Sequence, residues 1–173
     1  MNLNTSILAA VSLLKSLEGF SAKAYWDVNG YAIGFGNHYY EDGSPVRAGD
    51  NITYERAVSL LEFYAAQNAK AIAAQLAGPV SPGLLTSLIS LRYNCGTITN
   101  SLLSLINSGA DLETIKDKFL STCITVKGSY NNDLVIRRGK EWEAGLSLAG
   151  VSLLITGAVL IGLFWAFKTI YKK

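Results

Sequence analysis

An α+β fold with a membrane-spanning helix appended at its C-terminus is what this sequence predicts, on three observations. A glycine-punctuated, aromatic-rich stretch, residues 22–48, interrupts segments of helical character. From Thr53 to about residue 145 the apolar residues recur at helical spacing. Residues 146–167 then run for 22 positions without one charge. A length of 173 residues allows one domain, or two small lobes sharing an interface.

Half of the residues are hydrophobic and 16% are charged, so the chain is neither disordered nor highly charged. The net charge of +2 is a property of the C-terminus. Residues 1–145 hold 12 Lys/Arg against 13 Asp/Glu, and the surplus is Lys168, Lys172 and Lys173. No basic face for nucleic acid is expected. Cys95 and Cys123 are in no CxxC motif. They read as buried thiols, with a disulfide as the alternative. A single histidine, His38, argues against a zinc site and against a Ser/His triad, so no metal and no cofactor is expected. Ile7–Leu14 is apolar, but no Lys or Arg precedes it and no small-residue cleavage site follows, so it does not read as a secretory signal.

Residues 5–18 form the first expected helix, capped by Thr5 or Ser6. Ile7, Val11 and Leu14 fall on one stripe, widened by Leu8, Leu13 and Leu17. Glu18 continues that stripe, and Gly19 reads as a left-handed stop. A carboxyl at the wet edge of an apolar surface has its charged form disfavoured, which suits a general acid. An ordinary solvated glutamate at a helix end is the alternative. In residues 22–48 aromatic residues alternate with small or polar ones, and Asn29-Gly30 and Asp42-Gly43 are turn signals. They predict two or three short antiparallel strands. Gly34 and Gly36 leave backbone open to close approach, as an extended sugar chain would need, and rings such as Phe35 serve either as core or as stacking surfaces. Asp27 stands nine residues after Glu18, just before the hairpin turn. Two carboxylates on two elements facing one groove are what acid-assisted cleavage of a glycosidic bond requires.

Thr53 reads as an N-cap with Glu55 in the first turn, opening a helix from Tyr54 to about Ala77. At about 1.5 Å per residue it would span roughly 36 Å, the length of a strut between two lobes. Shorter helices follow from Ser81-Pro82 to Cys95-Gly96, over Asn100–Ser108, over Leu112–Leu120 and over Leu134–Glu143, with a loop at Lys127-Gly128. As a helix, residues 146–167 would span roughly 33 Å, about the hydrocarbon thickness of a bilayer. Trp165, Lys168, Tyr171, Lys172 and Lys173 follow as at a headgroup boundary. Gly150, Gly157 and Gly162 are not at GxxxG spacing. Orientation is a near tie between Arg137, Arg138 and Lys140 on one side and the three terminal lysines on the other.

Taken together, LEGF…AYWDVNGYAIGFGN (from Leu17) resembles the active-site signature of the phage-type lysozymes, glycoside hydrolase family 24. That signature is a helix ending in Glu-Gly, an Asp nine residues on, and then Thr-Ile-Gly-Tyr-Gly-His. Ile52-Thr53 with Ala57 is similar to the start of the family's interlobe helix. LTSLISLRYNCG (85–96), SLLSLIN (101–107) and LVIRRGKE (134–141) resemble three later helices, so the likeness covers about residues 5–145. It implies a two-lobe lysozyme-like domain over 1–145, with a sheet lobe at about 19–52 and a helical lobe at about 78–145. The transmembrane helix, 146–167, and a basic tail, 168–173, would follow. It implies hydrolysis of the β-1,4 link between N-acetylmuramic acid and N-acetylglucosamine in peptidoglycan. Glu18 would be the general acid, and Asp27 would stabilise the cationic sugar or orient water. Tyr31, Gly34, Phe35 and Asn37 would line the substrate.

This chain departs from the pattern twice within the signature. Ala32 stands where the family has threonine, in a turn one residue shorter. Asn37 stands where it has histidine, with His38 shifted by one. Ala32 has no hydroxyl to hold a water, so transglycosylation and a catalytically inactive glycan-binding or virion protein stand beside hydrolysis. The membrane segment, a third departure, implies a bilayer as partner. The setting would be a phage virion membrane or the host inner membrane, alongside other virion or membrane proteins.

Overall fold

The computed structural model describes residues 3–148. Helix α1, Leu3–Leu17, buries Ser6, Ala10, Val11 and Leu14. Ile7, Leu13 and Leu17 are half-buried, whereas Leu8 is exposed and lies outside the expected stripe. The helix needs one small polar contact: the Ser6 hydroxyl donates to the Pro82 carbonyl, and the Thr86 hydroxyl donates back to Ser6 O. Glu18 N–H still bonds Leu14 O at 2.8 Å, so the carboxyl leaves from the last helical turn. Gly19 does not take the left-handed conformation expected of it.

Strands β1 (Ser21–Asp27) and β2 (Gly30–Gly34) form an antiparallel hairpin. Tyr25 faces Ala32, Trp26 faces Tyr31 and Asp27 faces Gly30, which places the two-residue turn at Val28-Asn29, one position earlier than Asn29-Gly30. Short bridges from Lys23 to Asn51 and from Tyr39 to Pro45 complete the small lobe. Helix α2, Tyr54–Ala73, starts at the Thr53 cap as expected. It is 20 residues long, about 30 Å, and stops before Ala77. Asn107 is the reason: its side chain accepts from Ala77 N–H and donates to Gln75 O, satisfying the exit backbone so that the helix need not continue.

Helix α3, Pro82–Cys95, is the central element. Ser81 caps it, left-handed Gly96 ends it, and Gly83 through Leu91 lie buried apart from half-buried Leu84. A helix surrounded by others is buried on every side, and the Thr86, Ser87 and Ser90 hydroxyls of this one are satisfied by carbonyl and carboxylate acceptors. Helices α4 (Asn100–Asn107) and α5 (Leu112–Leu120) fall where the periodicity put them. The expected loop at Lys127-Gly128 is instead a tiny hairpin, β3 (Thr125–Val126) and β4 (Ser129–Tyr130). Lys127 and Gly128 have φ of 49° and 80°, the mirror-image turn that matches strand twist. Cys95 and Cys123 form a disulfide, not the two thiols first read, tying the end of α3 to the turn after α5.

Helix α6 begins at 132 and is helical through 148, so the expected boundary at 145/146 falls inside a helix. Gly145 belongs to the fold: a Cβ built on Gly83 would lie 2.0 Å from its carbonyl oxygen, so α3 and α6 cross at a glycine contact. No helix among the described residues is long and apolar enough to cross a membrane. The segment 149–167, most of the expected span, and the tail 168–173 lie outside the described residues.

Candidate active site

The two carboxylates stand on separate walls, one where α1 ends and the other on the β1–β2 hairpin. On the first, Glu18 leaves α1 with 21% of its side chain exposed. Its Oε1 accepts from the Arg137 guanidinium of α6 at 2.5 Å. Arg137 is fixed in turn by Nε donating to Glu141 at 3.0 Å. Glu141 is wholly buried and also accepts from the Ser90 hydroxyl and pairs with buried Arg138, which also donates to the Asn94 side chain and to Cys95 Sγ. Burial pushes the Glu141 carboxyl up against the pull of its cations, and burial pushes Arg138 down. The apolar setting expected around Glu18 is therefore corrected: a cation sits on its carboxyl, delivered by a buried ion-pair cluster.

On the second wall, Asp27 ends β1 with 47% of its side chain exposed. One oxygen accepts from Val28 N–H at 2.7 Å, and the other lies 3.4 Å from His38 Nε2. Tyr25 lies within electrostatic reach of both carboxylates. Burial raises its phenol first, and the Asp27 and then the Glu18 carboxylates raise it further, so both charges reach one hydroxyl. Tyr93 of α3 is driven up by burial and then by Glu18, and donates to Phe35 O at 3.0 Å. Beyond them a groove of about 230 Å³ runs between the lobes, lined by Asn37, His38 and Tyr39 on one side and Tyr64, Asn68, Arg92 and Tyr93 on the other.

Ala32 is fully buried across from Tyr25 and brings no hydroxyl to the site. Tyr31 is half-buried with its ring edge-on to Trp26 at 5.3 Å. Two expected substrate-lining residues are corrected. Phe35 is 1% exposed and packs with Phe20 and Tyr54, so its ring is core. Gly34 is buried at φ 65°, and its missing Cβ would lie 3.0 Å from the Ala57 Cβ. The glycine serves a close strand–helix approach, not a sugar. Asn37 is buried at the groove with its Oδ1 lacking a hydrogen-bond partner. Reading the sequence missed Arg137, Glu141, Tyr25 and His38 as neighbours of the pair. Arg-Arg-x-x-Glu carried a signal for the first two, because i,i+3 and i,i+4 spacing puts both arginines on Glu141.

Residues 15–141 match the phage lysozyme family. The chain belongs to that family. It is a lysozyme, a glycosidase whose substrate is peptidoglycan. Solved structures agree in fold. An endolysin from Escherichia coli O157:H7 phage FAHEc1 is 26% identical, with a TM-score of 0.69 over 80% of this chain and 90% of that one. The muramidase domain of SpmX from Asticaccaulis excentricus is 25% identical, with a TM-score of 0.63 over 80% and 95%. A mutant of P22 lysozyme is 26% identical, with a TM-score of 0.64 over 79% and 94%. No curated protein sequence matches this lysozyme. The family match covers Glu18, Asp27 and the Arg137–Glu141 cluster alike.

Proposed function

We propose that this lysozyme is an N-acetylmuramidase that cuts the β-1,4 bond between N-acetylmuramic acid and N-acetylglucosamine, held against its substrate by a membrane span over residues 146–167. The observation that carries the first half is Glu18, half-buried and fixed by Arg137, with its charge and that of Asp27 both acting on the Tyr25 phenol. Glu18 gives its proton to the bridging oxygen as the C1–O bond breaks. The carboxylate left behind is held by Arg137, which is positioned before the reaction starts. Asp27 faces the positive charge that develops on the sugar ring. Clearing of a peptidoglycan suspension tests this: the wild-type chain clears it, and Glu18→Gln lowers the rate by about 10²- to 10⁴-fold. Equal clearing by both ends the assignment.

The second half rests on the uncharged 22-residue segment. A tether raises the effective concentration of a nearly neutral enzyme beside the wall without a basic surface. Two features favour a wall-facing catalytic domain and an inward basic tail. The Cys95–Cys123 bridge suits an oxidising compartment. Arg137 and Arg138 are engaged in ion pairs within the fold, which leaves exposed Lys140 on one side against Lys168, Lys172 and Lys173 on the other. The setting is a phage virion membrane at entry or the host inner membrane at lysis. Flotation of the full chain with lipid vesicles, lost when residues 146–173 are deleted, is the expected result; a full chain that stays with the soluble fraction contradicts it.

A further inference from the structure

His38 has no part in the reading above, yet it lies beside Asp27. Its Nε2 is 3.4 Å from Asp27 Oδ2, and its Nδ1 is 3.1 Å from the Tyr31 carbonyl oxygen. A carbonyl oxygen only accepts, so Nδ1 carries a proton and donates it. In the neutral ring, Nε2 is then a lone pair facing a carboxylate oxygen, two acceptors with no hydrogen between them. One water satisfies both, donating an O–H to each and turning its own lone pairs outward. Both side chains are partly exposed, so water reaches them. Nothing at position 32 competes for the role, because Ala32 offers only a buried methyl.

We propose that His38 and Asp27 together hold the attacking water in this lysozyme, and that His38 Nε2 takes its proton. The proposal rests on Glu18 acting as the acid. In the step, a bond forms from the water oxygen to C1 while the bond from C1 to the leaving oxygen breaks. The leaving oxygen takes the Glu18 proton, and the water proton passes to Nε2. The resulting imidazolium donates from Nδ1 to Tyr31 O and from Nε2 to Asp27, so the charge it gains meets a carboxylate. The same geometry makes hydrolysis sensitive to acid. An imidazolium formed before substrate arrives donates directly to Asp27 and closes the water site. Besides Asp27, the groups around the ring and its partner are Tyr39, Tyr64 and Tyr93, Arg92, and Tyr25 beside Asp27.

The test follows release of reducing ends from peptidoglycan across pH, with the full chain as wild type, His38→Asn, His38→Gln and Glu18→Gln, each with its melting temperature. His38→Asn is expected to lower kcat by about 10²-fold with KM unchanged. It is also expected to move the fall in rate on the acid side and to raise the share of 1,6-anhydro ends, because the sugar's own hydroxyl attacks where no water is held. Should His38→Asn melt early, His38→Gln carries the same comparison. Wild-type rate with an unmoved acid limb in the folded His38 variant, beside an inactive Glu18→Gln, overturns the proposal and leaves the acid assignment standing. A lowered rate with the acid limb in place also overturns it, since that is what a merely structural histidine gives. A wild-type chain that cuts nothing removes the proposal and the muramidase reading together.

Discussion

The two walls of the site are built by different physics. Glu18 is held from behind by Arg137, and Arg137 by a buried cluster of Glu141, Arg138 and Ser90 that reaches exposed Asn94, spread over two helices. Asp27 stands near the tip of a two-stranded hairpin whose neighbouring Trp26 is 68% exposed. The acid is thus fixed by the core, whereas its counterpart is fixed by one backbone N–H and stands 3.4 Å from a histidine. Changes on the first wall should therefore cost stability and activity together, and changes on the second should cost activity alone.

Removing the buried centre of the first wall is the hardest test of that contrast. Glu141→Ala leaves Arg138 as a buried cation without its carboxylate, and breaking such a pair costs about 3–5 kcal/mol. Thermal unfolding should show a melting temperature lower by about 10 °C, with activity falling because Arg137 is no longer steered. An unchanged melting point would mean that the cluster does not hold the wall. Next comes the covalent tie behind it. Cys95 and Cys123 close a loop of 28 residues, worth about 3–4 kcal/mol in the chain-entropy account. The Cys95→Ser/Cys123→Ser pair should lower the denaturant midpoint and leave kcat near wild type.

On the second wall, Asp27→Asn should lower the cleavage rate by about 10²-fold with the melting temperature unmoved, since the side chain is half in solvent. A cooperative loss of fold would erase the distinction between the walls. The smallest effect lies in the sheet lobe. Arg56 forks onto Glu41 and holds that carboxyl below its usual range. A carboxyl depressed in the folded state adds stability above its unfolded value, and that stability is lost as the pH falls through the folded one. Arg56→Gln should thus be less stable than wild type near neutrality by under about 1 kcal/mol, as for any exposed pair. The two unfolding curves should converge in acid.

Much of the fold was legible because it rests on local rules. Caps at Thr53 and Ser81, the left-handed Gly96 and the apolar spacing of α2 through α5 each act within one or two turns. The errors came where distant residues decide. Asn107 cuts α2 short from 30 positions away, and Gly34 is small for the sake of Ala57 rather than for a ligand. The site was half legible for the same reason. Glu18 and Asp27 show themselves by their spacing along the chain. Arg137 meets Glu18 across 119 positions, and His38 meets Asp27 only because the hairpin folds back. Nothing in a local window says that a lone histidine ends beside Asp27 or that Arg137 ends beside Glu18.

The central claim is that the Glu18 carboxyl gives the proton that frees the leaving sugar. Mass spectrometry of muropeptides after digestion by wild type and by Glu18→Gln, with matched melting temperatures, tests it most directly. The account predicts fragments ending in reducing N-acetylmuramic acid with wild type and intact glycan with Glu18→Gln. The same fragments at the same rate from a folded Glu18→Gln chain would contradict it.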